Sequence, residues 1–170
     1  MNVKGLNAGL LSKIEKIKVV LTDVDGVLTD GGMIYNEDGL FMKRFNVKDG
    51  MGAALLKQAG FKVGLISTDV SPIGKIRGER LNFDFVVVGS MDKVKSLDQI
   101  CAELGIGREN CAFMGDDVND LQILKSVGFS AAPADAVPEI AEAVDYVCTK
   151  NGGQGAYREY ADIIRKNKNS

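Results

Sequence analysis

The chain contains no histidine among its 170 residues. That absence removes Ser-His-Asp and Cys-His catalysis, histidine-ligated zinc and phosphohistidine chemistry together. Hydrolytic chemistry would have to rest on carboxylates, hydroxyls, lysine and a hard metal ion. Cysteine is scarce and odd in number: Cys101, Cys111 and Cys148 lack metal-ligand spacing, and none is followed by an arginine at the spacing of cysteine-based phosphatases. They read as reduced, structural thiols. Surplus positive charge is missing too. With 21 basic against 23 acidic residues the formal charge is −2, which argues against nucleic acid as a partner. No apolar run approaches membrane-spanning length, and the N-terminus lacks the apolar core of a signal peptide, so the expected location is cytoplasmic. Internal repeats and low-complexity segments are lacking as well.

What is present is ordinary globular material. An apolar fraction of 45% at this length is enough for a full core, and one domain over residues 1–170 is expected. Short apolar runs at 17–22, 62–67, 83–88, 110–114, 129–132 and 146–149 read as strands. Helices are expected over 1–15, from a cap at Asp49 to about 59, from Ser71-Pro72 to about 81, over 92–104, from the Asp116 loop to 127, from about 137, and over a last segment to about 165. The tail 166–170 is polar and reads as frayed. Extended runs at 32–36 and 40–45 flank the turn residues Asn36-Glu37-Asp38-Gly39 and form a β-hairpin, an insertion over about 31–46. Strands alternating with helices define an α/β fold: a Rossmann-like, doubly wound parallel sheet.

The chemistry concentrates at strand ends. The run Val19-Val20-Leu21-Thr22 ends in Asp23-Val24-Asp25-Gly26, two acids at i and i+2 beside a glycine that lets backbone approach a ligand. Ser67 and Thr68 close the second strand, Lys93 starts the helix after the third, and Asp116, Asp117 and Asp120 follow the fourth. In a parallel sheet these ends open on one edge, where ligands bind. Taken singly, each has a plainer explanation: a turn aspartate, a strand-end hydroxyl, a solvated helix lysine or a capping acid. Their joint order and spacing are much harder to obtain by accident.

That joint pattern resembles the haloacid dehalogenase superfamily of phosphotransferases from Ile17 onward. The resemblance implies roles. Asp23 would be the nucleophile that forms an aspartyl-phosphate, and Asp25 the general acid and then the base. Ser67 would hydrogen-bond the phosphoryl group, while Lys93 neutralises it and holds Asp23. Asp23, the Asp25 carbonyl and Asp116 would ligate Mg²⁺, with Asp117 supporting the metal shell and Asp120 orienting Lys93. Mg²⁺ suits such an oxygen set, and positioning with charge neutralisation is the main protein contribution to phosphoryl transfer. An aspartate at position 25 accompanies phosphohydrolases and mutases in this superfamily, which favours a phosphatase.

The stretches from Asp23 to Ser67 and from Ser67 to Lys93 hold no cap domain. More narrowly, Asp23-Val-Asp-Gly-Val-Leu-Thr-Asp30, Asn46-Val-Lys-Asp-Gly50, Gly115-Asp-Asp-Val-Asn-Asp120 and Gly152-Gly-Gln-Gly-Ala-Tyr-Arg-Glu159 resemble the capless 3-deoxy-D-manno-octulosonate (KDO) 8-phosphate phosphatases and their relatives acting on nine-carbon sugar acids. The resemblance implies a 2-keto-3-deoxy sugar acid phosphate as substrate. It also implies a homotetramer whose hairpins pair centrally and whose neighbours complete each site. Met33, Tyr35, Leu40, Phe41 and Met42 fit that picture, against an ordinary edge hairpin. Arg158 would meet a substrate carboxylate or phosphate, or else be a surface helix arginine.

One departure concerns the substrate. The octulosonate phosphatases usually follow the second-motif hydroxyl with Gly-Arg, where this chain has Thr68-Asp69. Thr68 and Asp69 would then bind substrate differently, with Arg77 or Arg80 supplying a cation, and a nonulosonate 9-phosphate becomes the rival to the eight-carbon substrate. A catalytically weak tetramerisation module, of the kind fused to sugar-nucleotide synthetases, is the alternative of another class. The chain starts near its first strand, so no synthetase is expected to be attached.

Overall fold

The computed structural model describes residues 7–168. In chain order, α1 (Ala8–Glu15) leads into β1 (Val19–Thr22), the hairpin strands β2 (Ile34–Asn36) and β3 (Gly39–Met42), α2 (Val47–Gln58), β4 (Lys62–Ile66), α3 (Pro72–Arg80) and β5 (Phe85–Val87). Then come α4 (Lys93–Leu104), β6 (Cys111–Met114), α5 (Leu121–Leu124), β7 (Phe129–Ala132), α6 (Pro138–Ala143), β8 (Tyr146–Val147) and α7 (Ala156–Asn167). Six strands form one parallel sheet in the order β5-β4-β1-β6-β7-β8, and β2 and β3 pair separately and antiparallel. From β1 the sheet grows to β4 and β5 on one side, and the chain then crosses back to β6. The order therefore reverses at β1, and the crevice lies at the carboxyl ends of β1, β4 and β6.

Alternate side chains of a strand face opposite sides of a sheet. In β1, Val20 packs into a layer with Ile14 of α1, Ala53 and Leu56 of α2, and Tyr157, Tyr160 and Ile164 of α7. Val19 and Leu21 face Leu97 and Ile100 of α4, Ile123 and Leu124 of α5, and Ile140 of α6. Burial on both faces is why the strands read as unbroken apolar runs rather than alternating ones. The doubly wound sheet, the hairpin after the first strand and the lack of a cap domain among the described residues agree with expectation. None of the described helices is long and apolar enough to cross a membrane.

Several boundaries differ, each for a local reason. Asp49 does not cap α2. Asn46 does, its side chain accepting from the Lys48 N–H, while Asp49 is buried in the first turn and accepts from the Arg158 N–H at 2.9 Å. The strand expected at 83–88 begins only at Phe85, because Asp84 turns back and its carboxylate takes the Val63 N–H. The helix expected to reach 127 is one 3₁₀ turn, Val118–Asp120, followed by the short α5. The last helix is longer than expected and takes in Lys166, which pairs with Asp162, while Lys168 covers the Phe61 ring. The start of the first expected helix, residues 1–6, and the last two residues of the tail lie outside the described residues.

Leu56 is fully buried between α2 and the sheet. We expect Leu56→Ala to destabilise the protein by about 2–5 kcal/mol in urea unfolding, with the slope unchanged.

Candidate active site

Asp23 sits one residue past β1, its N–H bonded to the Met114 carbonyl at the end of β6. Its Oδ1 accepts from the Val24 N–H at 2.6 Å, and its Oδ2 lies 2.8 Å from the Lys93 ammonium. Lys93 is the first residue of α4 and only 2% exposed at its side chain. Asp120, from the 3₁₀ turn after β6, takes the same ammonium at 2.5 Å on Oδ1, and its Oδ2 accepts from the Asp116 N–H. Three strand ends are thus tied by one chain: Asp23, Lys93, Asp120 and the Asp116 backbone.

The loop after Asp23 is tightly packed. Gly26 has φ +77°, and a Cβ there would stand 1.9 Å from Asp116 Oδ2, so neither conformation nor space admits a side chain. On its other side lies the C-terminal glycine turn. A Cβ on Gly152 would meet the Gly26 carbonyl oxygen at 1.8 Å, and the Gly153 N–H donates to the Val27 carbonyl. The glycine-rich turn of this same chain therefore buttresses the aspartate loop.

Above these groups opens a cleft of about 480 Å³, lined by Asp23, Asp25, Gly26, Gly31, Met33, Ser67, Thr68, Asp69, Asp116, Asp117 and Asn119. Its electrostatics are dominated by crowded acids. Burial, with Asp120 close by, raises the Asp23 carboxyl to about 6 despite Lys93. Burial and the charges of Asp23 and Asp120 raise Asp116 to about 7. Asp25 is raised by burial against the pull of Lys43. Oxygen atoms of Asp23, Asp116 and Asp120 approach within 4.8 Å of one another. Both Asp120 oxygens are taken, by Lys93 and the Asp116 N–H, and Asp120 does not line the cleft; Asp23 and Asp116 do, as hard oxygen donors whose mutual repulsion a divalent cation would relieve.

The structure brings Asp23, Asp25, Ser67, Thr68, Asp69, Asp116 and Asp117 to one cleft, with Lys93 and Asp120 beneath it. Ser67 is 2% exposed and its Oγ accepts from the Asp69 N–H. Asp117 stands at the exposed mouth, its Oδ1 accepting from the Val118 N–H, outside the tight carboxylate cluster. Three arginines expected to meet substrate are not brought in. Arg80 ends α3, which starts at the cleft, so it sits about 12 Å along the helix from that end and is exposed. Arg77 stacks over Phe45 and donates to the Asn46 carbonyl. Arg158 pairs with Asp162 and lines another depression, with Lys48 and Glu159, that shares no residue with the cleft.

Sequence reasoning missed Lys43. Its side chain is fully buried, and its ammonium lies 2.7 Å from Asp25 Oδ2 and 2.5 Å from Asp69 Oδ2. With Ser71, it holds Asp69 down at about 2 although burial pushes the other way. The available signal was Asp69 itself, an extra acid beside Asp25 that needed a cation.

A profile of the haloacid dehalogenase-like hydrolases matches residues 71–159. The 3-deoxy-D-manno-octulosonate 8-phosphate phosphatase KdsC of Haemophilus influenzae is 40% identical over 152 residues, which is 89% of this chain and 84% of that protein. The cobalt-bound deoxy-D-mannose-octulosonate 8-phosphate phosphatase of the same organism superposes with a TM-score of 0.88 at 38% identity, covering 92% of this chain and 91% of that one. The Moraxella catarrhalis 3-deoxy-D-manno-octulosonate 8-phosphate phosphatase, solved with a magnesium ion, a phosphate ion and a KDO molecule, gives a TM-score of 0.90 at 36% identity, covering 94% and 92%. The chain belongs to the haloacid dehalogenase-like hydrolases. Within them, these relatives, matched over most of their length, are KDO 8-phosphate phosphatases.

The raised carboxyls give a pH signature. Groups with raised folded pKa values favour the fold at low pH, and that contribution is lost as pH rises through about 6 to 7. A cation replaces the lost protons. The gain in melting temperature on adding magnesium chloride should therefore grow from about pH 5 to about pH 8, and a gain independent of pH would contradict the assignment.

Proposed function

We propose that the protein is a Mg²⁺-dependent phosphatase that removes the terminal phosphate of a 2-keto-3-deoxy sugar acid of the KDO 8-phosphate type. The observation that carries this reading is the buried Asp23–Lys93–Asp120 chain beneath a cleft that Asp25, Ser67 and Asp116 share. The sugar acid is carried over from the activity named for the relatives.

Asp23 and Asp116, with the Asp25 carbonyl, would hold the cation, and Asp117 at the mouth would support its water shell. Bound there, Mg²⁺ supplies positive charge to the phosphate oxygens. Lys93 orients Asp23 and adds a second positive charge, so that a carboxylate can approach a phosphate dianion. Ser67 donates to the phosphoryl group, and Thr68 lines its approach. An Asp23 oxygen attacks phosphorus, forming an acyl-phosphate bond as the ester P–O bond breaks. The departing alkoxide takes the Asp25 proton. In the second half, Asp25 takes a proton from water as the water oxygen attacks phosphorus, and the Asp23–phosphorus bond breaks to release inorganic phosphate.

The rival substrate, a nonulosonate 9-phosphate, is favoured by one observation. Position 69, on the cleft wall, carries a carboxylate already paired with Lys43 rather than a guanidinium free for a sugar acid. Ranking kcat/KM for both esters decides between them. The complete set of reacting groups weighs against a purely scaffolding domain. The buried free thiols, including Cys101 and Cys111 with sulfurs 3.6 Å apart, fit a reducing, cytoplasmic setting.

We also infer a homotetramer with hairpins at its centre. Ile34, Tyr35 and Phe41 are 50%, 65% and 63% exposed, and Met33 and Met42 are nearly half exposed, an apolar surface that a monomer would leave in water. Met33 also lines the cleft, so a subunit seated on the hairpin would reach the site.

Asp23→Asn should lower Mg²⁺-dependent phosphate release from p-nitrophenyl phosphate by at least about a thousandfold while leaving the melting temperature within a few degrees of the parent. In light scattering the protein should have a mass four times that of the chain. The double variant Tyr35→Lys/Phe41→Glu should shrink it and lower kcat/KM on the sugar acid ester.

A further inference from the structure

The geometry points to Lys43 as a positioning residue: from the root of the hairpin it fixes the Asp25 carboxyl toward the leaving group, with Asp69 as its anchor. This rests on the phosphatase reading above.

A lysine whose side chain is wholly out of solvent is costly unless it is paired. Lys43 is paired twice, at 2.7 Å to Asp25 Oδ2 and 2.5 Å to Asp69 Oδ2, while the two carboxylates keep 21% and 24% of their side-chain surface open. The ammonium is thus behind the acids, not in the cleft, and acts on a substrate only through them. Asp25 has little else to hold it. Its other oxygen, Oδ1, has only the Thr29 hydroxyl, at a long 3.4 Å. With Oδ2 engaged by Lys43, Oδ1 is the oxygen left to exchange a proton with the departing ester oxygen.

The anchor is itself fixed. Asp69 accepts from the Ser71 hydroxyl at 2.5 Å on Oδ2 and from the Ser71 N–H at 3.1 Å on Oδ1, at the start of α3. Lys43 is fixed from the other side, between the Ile34–Met42 pair of the hairpin and the antiparallel bridge from Phe45 to Thr29. The hairpin root, the aspartate loop and the start of α3 therefore meet at one ammonium. This also accounts for the acid at position 69, whose charge is turned to Lys43 and not wholly toward the substrate.

Leaving-group dependence tests the assignment. The p-nitrophenolate departs without a proton, whereas a sugar alkoxide needs one, and kcat/KM reports only the steps up to its departure. Lys43→Met should lower kcat/KM for KDO 8-phosphate by about 10²-fold but for p-nitrophenyl phosphate by no more than about threefold. The charge-balanced variant Lys43→Met/Asp69→Asn should show the same split, and it keeps the test open if the single variant fails to fold. Equal losses on the two esters, or no loss on either, would overturn the role of Lys43 while leaving the phosphatase reading in place. A parent protein inert on both esters with Mg²⁺ would instead overturn that reading.

Discussion

The structure turns on one ammonium between two buried carboxylates. Lys93 is held by Asp23 and Asp120, all three nearly or fully out of solvent. The arrangement requires β1 to end just before Asp23, α4 to begin at Lys93, and the chain after β6 to turn inward at Asp120. Side chains of a helix lean toward its N-terminus, so a lysine at the first position of α4 reaches back over the carboxyl edge of the sheet. Asp92, capping that helix through the Lys95 N–H, fixes where the first position falls. The pairing is incomplete by design of the residues themselves: with Asp116 included, three acids share one lysine. Burial, and after it this unbalanced charge, raises Asp23 and Asp116, and a cation in the cleft would relieve both.

Much of this was legible from the chain, because the cleft residues follow strands with strong apolar patterns. Asp23, Ser67 and Asp116 sit just past β1, β4 and β6, and a parallel sheet carries all such ends to one edge. Lys93 was placed by the strand before it and by the helix it starts. What was not legible depends on partners distant in sequence. Asp49 reads as a cap by residue type, yet Asn46 wins that position and Asp49 instead holds the Arg158 N–H across to α7. Arg80 has the charge a sugar acid calls for, but helix rise carries it away from the cleft. Arg158 is drawn to Asp162 on its own helix. Lys43 directly follows an apolar hairpin strand, and nothing local announces that it reaches two acids 18 and 26 residues away.

Lys43 changes the meaning of Asp69. Read from the sequence, an aspartate on the cleft wall is a repulsive element set against an anionic substrate. In the structure most of its hydrogen-bonding capacity is taken by Lys43 and Ser71, and its neighbourhood is a mixed cluster, two acids around one ammonium. The wall is thus less hostile to a sugar carboxylate than the residue type implies. On the proposed function, selectivity for the sugar would then come from shape and from groups outside this cluster.

Those groups lead back to the hairpin. Its tip exposes Tyr35 and Phe41, its flank places Met33 in the cleft lining, and its root delivers Lys43 to Asp25. One short element therefore touches solvent, the cleft and the Asp25 carboxyl in turn. With no cap domain among the described residues, water reaches the cleft from this side, and the acyl-phosphate of the proposed mechanism would be exposed to it. A second copy packed on the apolar strands would close that side while leaving the buried root untouched. Under the proposed assembly the division would be physically economical: a rigid, internally paired root would hold Asp25, and an apolar surface would take the cover.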